Sequence, residues 1–277
     1  MADTTGTSLP PQNRSKESSR EQHDHLVEVK DADKVQAQLV GGFNWLEDNS
    51  KIVVALIAVA ILGGLAYAAV TFVGNRQEKN AQVEYYKVEA PFMKKREAFE
   101  KAKFKAFMPA AQADDKTPSE AATGDLAKDY GGLLTGLEST AKEYAGTTAG
   151  GQAAILAAQT YLEYKQPEKA VEYAQLAAEK MSKTSTIATL GRVLWGNALS
   201  AKGDCQAALG AWQPILDNEA TSYLHGDVAV RSGVCLEQLG QNDRAMEMYR
   251  KASATTESAS SSTAKGLLRA LEKTAAK

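Results

Sequence analysis

The chain has 277 residues, with 32 Lys and Arg against 34 Asp and Glu, and its formal net charge at pH 7 is −2. Nucleic-acid-binding domains carry basic patches and an excess of Lys and Arg, so this balance gives no reason to expect a nucleic-acid partner. The length is sufficient for one sizeable core or a short array of repeats beyond the apolar segment described below.

Residues 1–33 predict a disordered polar tail, because they include two prolines and almost no bulky apolar group before Leu26. His23 and His25 stand close together in this tail, but two histidines without a third ligand are usually just solvated. We therefore expect no metal site.

Residues 34–51 predict a short amphipathic helix. Val35, Leu39 and Phe43 recur at steps of four, and Leu46 follows three positions later. Trp45 fits the aromatic belt at the level of the lipid headgroups. This helix either docks a partner or is an ordinary juxtamembrane helix, and the sequence favours neither.

Residues 52–73 predict a single transmembrane helix. They contain no charged residue, and their only clearly polar side chains are Tyr67 and Thr71. At about 1.5 Å per residue, this length spans the roughly 30 Å hydrocarbon core of a bilayer. A cleavable signal peptide lies nearer the start of a chain, so we expect an uncleaved anchor. The alternative is a buried helix of a soluble domain, but no other segment is hydrophobic enough to surround it.

Residues 74–108 predict a membrane-proximal helix with a break near Pro91, and residues 109–124 predict a linker rich in proline and small residues. A basic run in the helix suits either anionic lipid headgroups or a solvated face balanced by interleaved glutamates. Its residues are Lys94, Lys95, Arg96, Lys101, Lys103 and Lys105.

Residues 125–252 contain three stretches that align with one another. In each, a small residue is followed three positions later by a large one and twelve positions later by an alanine. Further apolar or small residues stand four and seven positions beyond that alanine. The matching residues are Ala158, Tyr161, Ala170, Ala174 and Ala177, then Gly196, Leu199, Ala208, Trp212 and Ile215, then Gly233, Leu236, Ala245, Tyr249 and Ala252.

This spacing predicts helical hairpins whose two helices cross closely, with small residues where the backbones meet. Gly203 and Gly240 stand where the turns of the second and third hairpins are expected, and Lys165 takes this place in the first. The pattern resembles the tetratricopeptide repeat, although the aligned alanines are 38 and 37 residues apart instead of about 34. The alternative is a generic alanine-rich helical bundle.

Residues 253–262 predict a flexible linker, and residues 263–277 predict an amphipathic helix that caps the last hairpin. The predicted fold class is therefore all-α: a single transmembrane helix followed by a degenerate TPR-like helical-hairpin solenoid.

The complete layout is similar to that of the YfgM-type proteins, which are ancillary to the bacterial Sec translocon. The similarity consists of a charged tail, the amphipathic stretch VQAQLVGGFNWLEDNSK, one span and degenerate repeats. It implies an inner-membrane protein whose partners are translocon components, periplasmic chaperones or exported chains.

The sequence does not predict an enzyme. We find no nucleophile beside a base, no paired carboxylates, no phosphate-binding loop and no metal-ligand spacing, and His225 has no evident partner. We therefore expect no cofactor and no small-molecule substrate. Two functions stay open: a scaffold that binds protein segments, or a structural tether that organises an envelope complex for division or cell-wall synthesis.

For the scaffold, the repeat family implies that the first helix of each hairpin lines the binding groove, three positions before and one and four after the small residue. Lys and Arg are absent there, which favours weak binding of apolar extended segments over capture of a carboxylate. These nine positions, called the groove face below, are Ile155, Gln159, Leu162, Val193, Asn197, Ser200, Val230, Val234 and Glu237.

Cys205 and Cys235 permit one disulfide in an oxidising compartment, and equally permit two partly buried thiols. Neighbouring hairpins bring the two positions near each other, but a bond needs their Cα atoms within about 7 Å, which repeat spacing alone does not guarantee.

The orientation in the membrane is predicted with the N-terminus in the cytoplasm and the repeats in the periplasm. Charge alone favours the reverse, because Lys34 and Lys51 precede the span while Arg76, Lys79 and Lys87 follow it. Long domains, however, translocate largely regardless of charge, and the YfgM-type layout implies this orientation. The competing topology gives a cytoplasmic scaffold with reduced cysteines.

Overall fold

A computed structural model describes residues 49–107, 120–255 and 258–275, and these contain helices and turns but no strand. The chain divides into two compact units, Met1–Thr71 and Phe72–Lys277. The predictions for the tail, for nearly all of the amphipathic helix 34–51 and for most of the linker 109–124 fall outside the described residues.

Helix α1 (Ser50–Phe107) contains the predicted transmembrane segment. Nearly all large apolar side chains from Ile52 to Val73 are more than half exposed. The Thr71 hydroxyl donates to the carbonyl oxygens of Tyr67 and Ala68, each at 3.0 Å, so this polar group is satisfied within the helix. By length and composition, α1 is sufficient to cross a membrane.

The predicted break near Pro91 is absent, because α1 continues through this residue. A proline inside a helix removes one backbone hydrogen bond and usually kinks the helix. Pro91 is itself exposed, whereas Phe92 and Phe99 are buried in the second unit. Their burial favours one uninterrupted helical face across the proline.

The membrane-proximal part of α1 packs against two short helices, α2 (Leu126–Asp129) and α3 (Gly131–Glu143). The rings of Phe92 and Tyr130 stack with centroids 4.4 Å apart. Gly136 lies so close to α1 that an added Cβ would be 2.8 Å from Cγ2 of Val88. The second unit therefore begins with a helix layer packed on the first hairpin.

Three helical hairpins follow in chain order, and one final helix packs on the last of them. A one-turn 3₁₀ helix, Glu219–Thr221, precedes the third hairpin. The hairpins are α4 (Thr148–Glu163) with α5 (Pro167–Lys180), α6 (Thr186–Ala201) with α7 (Cys205–Leu216), and α8 (Ser222–Gln238) with α9 (Asn242–Ser253), and the final helix is α10 (Ala259–Ala275).

The predicted hairpins are confirmed, since all fifteen aligned small, large and alanine positions are buried. An added Cβ at Gly196 would lie 2.1 Å from Nε1 of Trp212, and one at Gly233 would lie 2.3 Å from Cε1 of Tyr249. In both hairpins, the absence of a side chain on the first helix admits a large ring from the second.

The three hairpin turns share one backbone conformation. Gly203 and Gly240 have φ angles of 88° and 72°, and Lys165 takes the same left-handed region at 55°. In each turn, the amide that follows the positive-φ residue donates to the carbonyl oxygen five positions earlier in the first helix, as when Asp204 N donates to Leu199 O at 2.9 Å. The first turn therefore uses the geometry of the others without the glycine that accommodates it.

Helix α10 begins at Ala259, four residues earlier than predicted, so the predicted linker 253–262 is shorter in the structure. The Ser258 hydroxyl accepts a hydrogen bond from Ser261 N at 3.2 Å, as a helix N-cap does. Ala264 and Leu271 are buried against the third hairpin. The serine-rich run thus contains the start of the helix.

Candidate protein-interaction surface

The groove face lies entirely on the first helices of the three hairpins, α4, α6 and α8. Helix α4 contacts α6, and α6 contacts α8, so the groove face extends over three neighbouring helices. Eight of the nine residues are half-buried, and Val234 is 36% exposed. Partial exposure leaves each side chain some surface that a partner could contact.

The aliphatic members of the groove face also support the core. Ile155 and Leu162 pack against the buried cluster of the first hairpin, Val193 against that of the second and Val230 against that of the third. These side chains are therefore fixed by packing on one side.

The polar members have distinct surroundings. The Oδ1 atom of Asn197 is buried and has no hydrogen-bond partner among the described residues. Glu237 accepts a hydrogen bond from the hydroxyl of Tyr249 in its own hairpin. Burial, and then this bond to Glu237, raise the pKa of Tyr249. The carboxylate of Glu237, which is the only charged group on the groove face, is thus bound to the second helix of its own hairpin.

The two cysteines lie face to face between the second and third hairpins, in the geometry of a disulfide with a Cα–Cα distance of 5.1 Å. This distance is within the range that a disulfide requires. Both are buried, Cys205 at the start of α7 and Cys235 within α8. Formation of the bond in the cell stays a prediction, because it depends on the compartment.

His225 has partners that the sequence did not reveal. Its Nε2 lies 2.9 Å from the carbonyl oxygen of Ile215 and 3.1 Å from that of Asn218. Both carbonyls lie at the C-terminal end of α7 or just beyond it, where helix carbonyls have no partner within the helix. The ring of His225 therefore caps the C-terminal end of α7.

A carboxylate that the sequence did not single out joins α3 to the first hairpin. Oε1 of Glu138 accepts hydrogen bonds from the hydroxyls of Tyr161, at 2.5 Å, and Tyr173, at 2.9 Å. Burial first, and the bond to Glu138, raise the pKa of Tyr161. One acidic residue thus links both helices of the hairpin to the layer before it.

A second such carboxylate belongs to Asp129, which is 2% exposed. It accepts hydrogen bonds from the Thr123 amide at 2.9 Å, the Thr123 hydroxyl at 2.8 Å, the Gly124 amide at 3.0 Å and the Tyr164 hydroxyl at 2.7 Å. Burial acts to raise the pKa of Asp129, but these hydrogen bonds together outweigh it and lower the pKa to about 2.

A cavity of about 640 Å³ lies between α1 and the first hairpin turn. Phe99, Tyr130 and Tyr164 supply aromatic surface, while Lys103 and Lys165 lie at its border. Arg96 also lines it but forms an ion pair with Glu163. The sequence did not predict this cavity, because it forms only where distant segments of the second unit meet.

The comparisons with known proteins give two similar solved structures, both described as crystal structures of MamA. One is 21% identical and covers 56% of this chain and 91% of its own, with a TM-score of 0.41. The other is 20% identical and covers 54% of this chain and 82% of its own, with a TM-score of 0.39. No protein-family model and no curated protein matches the chain.

Similarities of this size do not identify a family or a function. The resemblance to the YfgM-type proteins therefore stays a prediction from the layout of the sequence. The fold described above rests on the buried repeat positions and the three equivalent turns.

Proposed function

We propose that this protein is a membrane-anchored scaffold whose groove face binds other proteins or extended peptide segments. The observation that supports the proposal most is the set of partly exposed side chains on the neighbouring first helices α4, α6 and α8. Apolar or small residues with residual exposure suit contact with a second polypeptide. The proposal assigns no catalytic role to the protein.

The chemistry of the groove face indicates its occupant. Ile155, Val193 and Val230 offer apolar surface, and none of the nine residues is Lys or Arg. Asn197 adds a buried carbonyl oxygen that has no partner among the described residues, and rotation of the side chain would present it to a backbone N–H. The expected ligand is an apolar extended segment, bound with a dissociation constant in about the micromolar range or weaker.

The cellular setting is proposed from the apolar part of α1 and from the YfgM-type layout. We place the anchor in the bacterial inner membrane, the N-terminus in the cytoplasm and the hairpins in the periplasm, next to the Sec translocon and periplasmic chaperones. Protease added to intact spheroplasts should then digest the hairpins and leave a small anchored fragment. Full protection of the hairpins would contradict this orientation.

The binding proposal is tested by chemical crosslinking in intact membranes. Ile155→Glu with Val230→Glu places two charges on the groove face and should abolish crosslinks to partner proteins. The control is Gln206→Glu with Asn242→Glu, because both residues are exposed on second helices away from the groove face. Circular dichroism should show that helical content is intact in both variants.

The outcomes separate the two functions. Crosslinks to translocon components and exported chains that the groove variant removes, and the control variant keeps, support the scaffold. Crosslinks to a fixed set of division or cell-wall proteins would indicate the structural tether instead. Unchanged crosslinking in the groove variant would reject the groove face as the binding site.

A further inference from the structure

The membrane-proximal part of α1 has two opposite faces. Ala81 and Phe92 lie on the face that is buried in the second unit. The other face carries Val83, Tyr86 and Met93, which are 55%, 62% and 44% exposed. Ala90, which is also exposed, lies between the last two, and these four residues are called the exposed stripe. The described part of the chain does not cover it.

The exposed stripe has the spacing of a coiled-coil seam. Its residues stand at positions 83, 86, 90 and 93, so the steps are three, four and three, and they occupy successive a and d places of a heptad. On a helix of 3.6 residues per turn this seam lies on the opposite side from Ala81 and Phe92. A second helix could therefore approach it without displacing the hairpins.

The residues that flank the stripe have complementary charges. Glu89 occupies the g place and Lys94 the e place of this heptad, and neither forms an ion pair with another described residue. Five positions apart on one helix, they do not face each other. In a parallel pair of helices the g residue of each copy faces the e residue of the other. An antiparallel pair would instead place like charges together.

We propose that two copies of this chain pair in parallel through the exposed stripe. Each Glu89 then meets Lys94 of the other copy, once on either side of the seam. The next a and d places hold Glu97 and Glu100, whose like charges end the contact after Met93. This pairing goes beyond the groove face, lies on a different element from it and does not depend on it.

Disulfide trapping of the full-length protein in detergent tests the contact. Ala90→Cys places one thiol per copy at the centre of the seam, and mild oxidation should give a covalent dimer. Gln77→Cys is the control, because this residue is exposed on the same helix but off the a and d places. Trapping through Ala90→Cys that is no stronger than through Gln77→Cys would overturn the proposal.

Charge reversal tests whether the partner is a second copy of this chain and whether the two helices are parallel. Glu89→Lys or Lys94→Glu alone should raise the dimer dissociation constant by about fivefold or more, measured by sedimentation. The two changes together should restore it to within about twofold, because the pair is re-formed with its signs exchanged. Single and double reversals with equal effects would contradict the parallel pairing.

A variant with two charges in the exposed stripe tests whether the dimer uses this surface. Tyr86→Glu with Met93→Glu alters exposed side chains only, so the fold should persist while the dimer is lost. A dimer that survives this variant uses another surface and refutes the proposal.

Discussion

Trp212 fills the space that Gly196 leaves open on the opposite helix of the second hairpin. A Cβ at Gly196 would lie 2.1 Å from Nε1 of Trp212, and that Nε1 donates to the carbonyl oxygen of Val193 at 3.3 Å. Trp212 is 1% exposed and belongs to the core cluster of this hairpin. The close crossing of α6 and α7 therefore depends on a position without a side chain.

Gly196→Ala should lower the free energy of unfolding by about 1–3 kcal/mol, because the added methyl group forces Trp212 from its place. Gly210→Ala is the matched control, since no atom of the described residues lies within 4 Å of a Cβ added there and the residue is exposed within α7. It should raise stability by up to about 1 kcal/mol through helix propensity. Urea unfolding measures both, and equal effects would contradict the packing described.

Lys165→Gly should stabilise the protein by about 0.5–1 kcal/mol. Lys165 has a φ of 55°, a region that costs energy for a residue with a Cβ but not for glycine. Gly203→Ala at the equivalent turn should destabilise by a similar amount, because Gly203 has a φ of 88°. A loss of stability in Lys165→Gly, measured by thermal unfolding, would argue against a shared turn conformation.

Asp129 should make stability depend on pH in the acid range. Its folded pKa of about 2 lies below the unfolded value of about 3.9, so its contribution is complete above the unfolded pKa. That contribution is lost as pH falls towards the folded pKa. The urea midpoint of the wild type should therefore decrease between about pH 4 and pH 2.

Asp129→Asn should be less stable than the wild type at pH 7 and should show a weaker decrease between about pH 4 and pH 2. Asp243→Asn, an exposed residue at the start of α9, provides the control and should follow the wild type. Parallel curves for the wild type and Asp129→Asn would show that Asp129 does not account for the acid dependence.

Reduction of a Cys205–Cys235 bond should lower the free energy of unfolding by about 2–4 kcal/mol, since the bond closes a loop between residues 30 apart. Mass spectrometry of membrane-extracted protein under non-reducing conditions should show a mass that is lower by two hydrogens than the mass of the reduced protein. Free thiols in that material would contradict the bond and weaken the argument for an oxidising compartment.

The hairpins were predictable from sequence because their packing repeats at fixed spacing. Gly196 and Gly233 identify close crossings without any knowledge of the fold, and Gly203 marks a turn. The carboxylate of Glu138 was not predictable, since Tyr161 and Tyr173 lie 23 and 35 residues away and no local pattern joins them.

Two predictions about the extent of helices were wrong, one for a local reason and one because of tertiary packing. Ser258 begins α10 by capping it, although its serine-rich surroundings are typical of a flexible linker. Pro91 was expected to break α1, but the burial of Phe92 and Phe99 on one face outweighs the lost hydrogen bond. Tertiary packing of this kind cannot be inferred from the proline alone.

The most direct test of the proposed scaffold is site-specific photocrosslinking in intact membranes, with the photoreactive residue at Val234 or at Gln206. Val234 is the most exposed of the nine groove-face residues, and Gln206 is exposed on a second helix. Adducts with partner proteins are expected from Val234, and far fewer from Gln206. Equal yields at the two positions, or adducts from Gln206 alone, would contradict binding at the groove face.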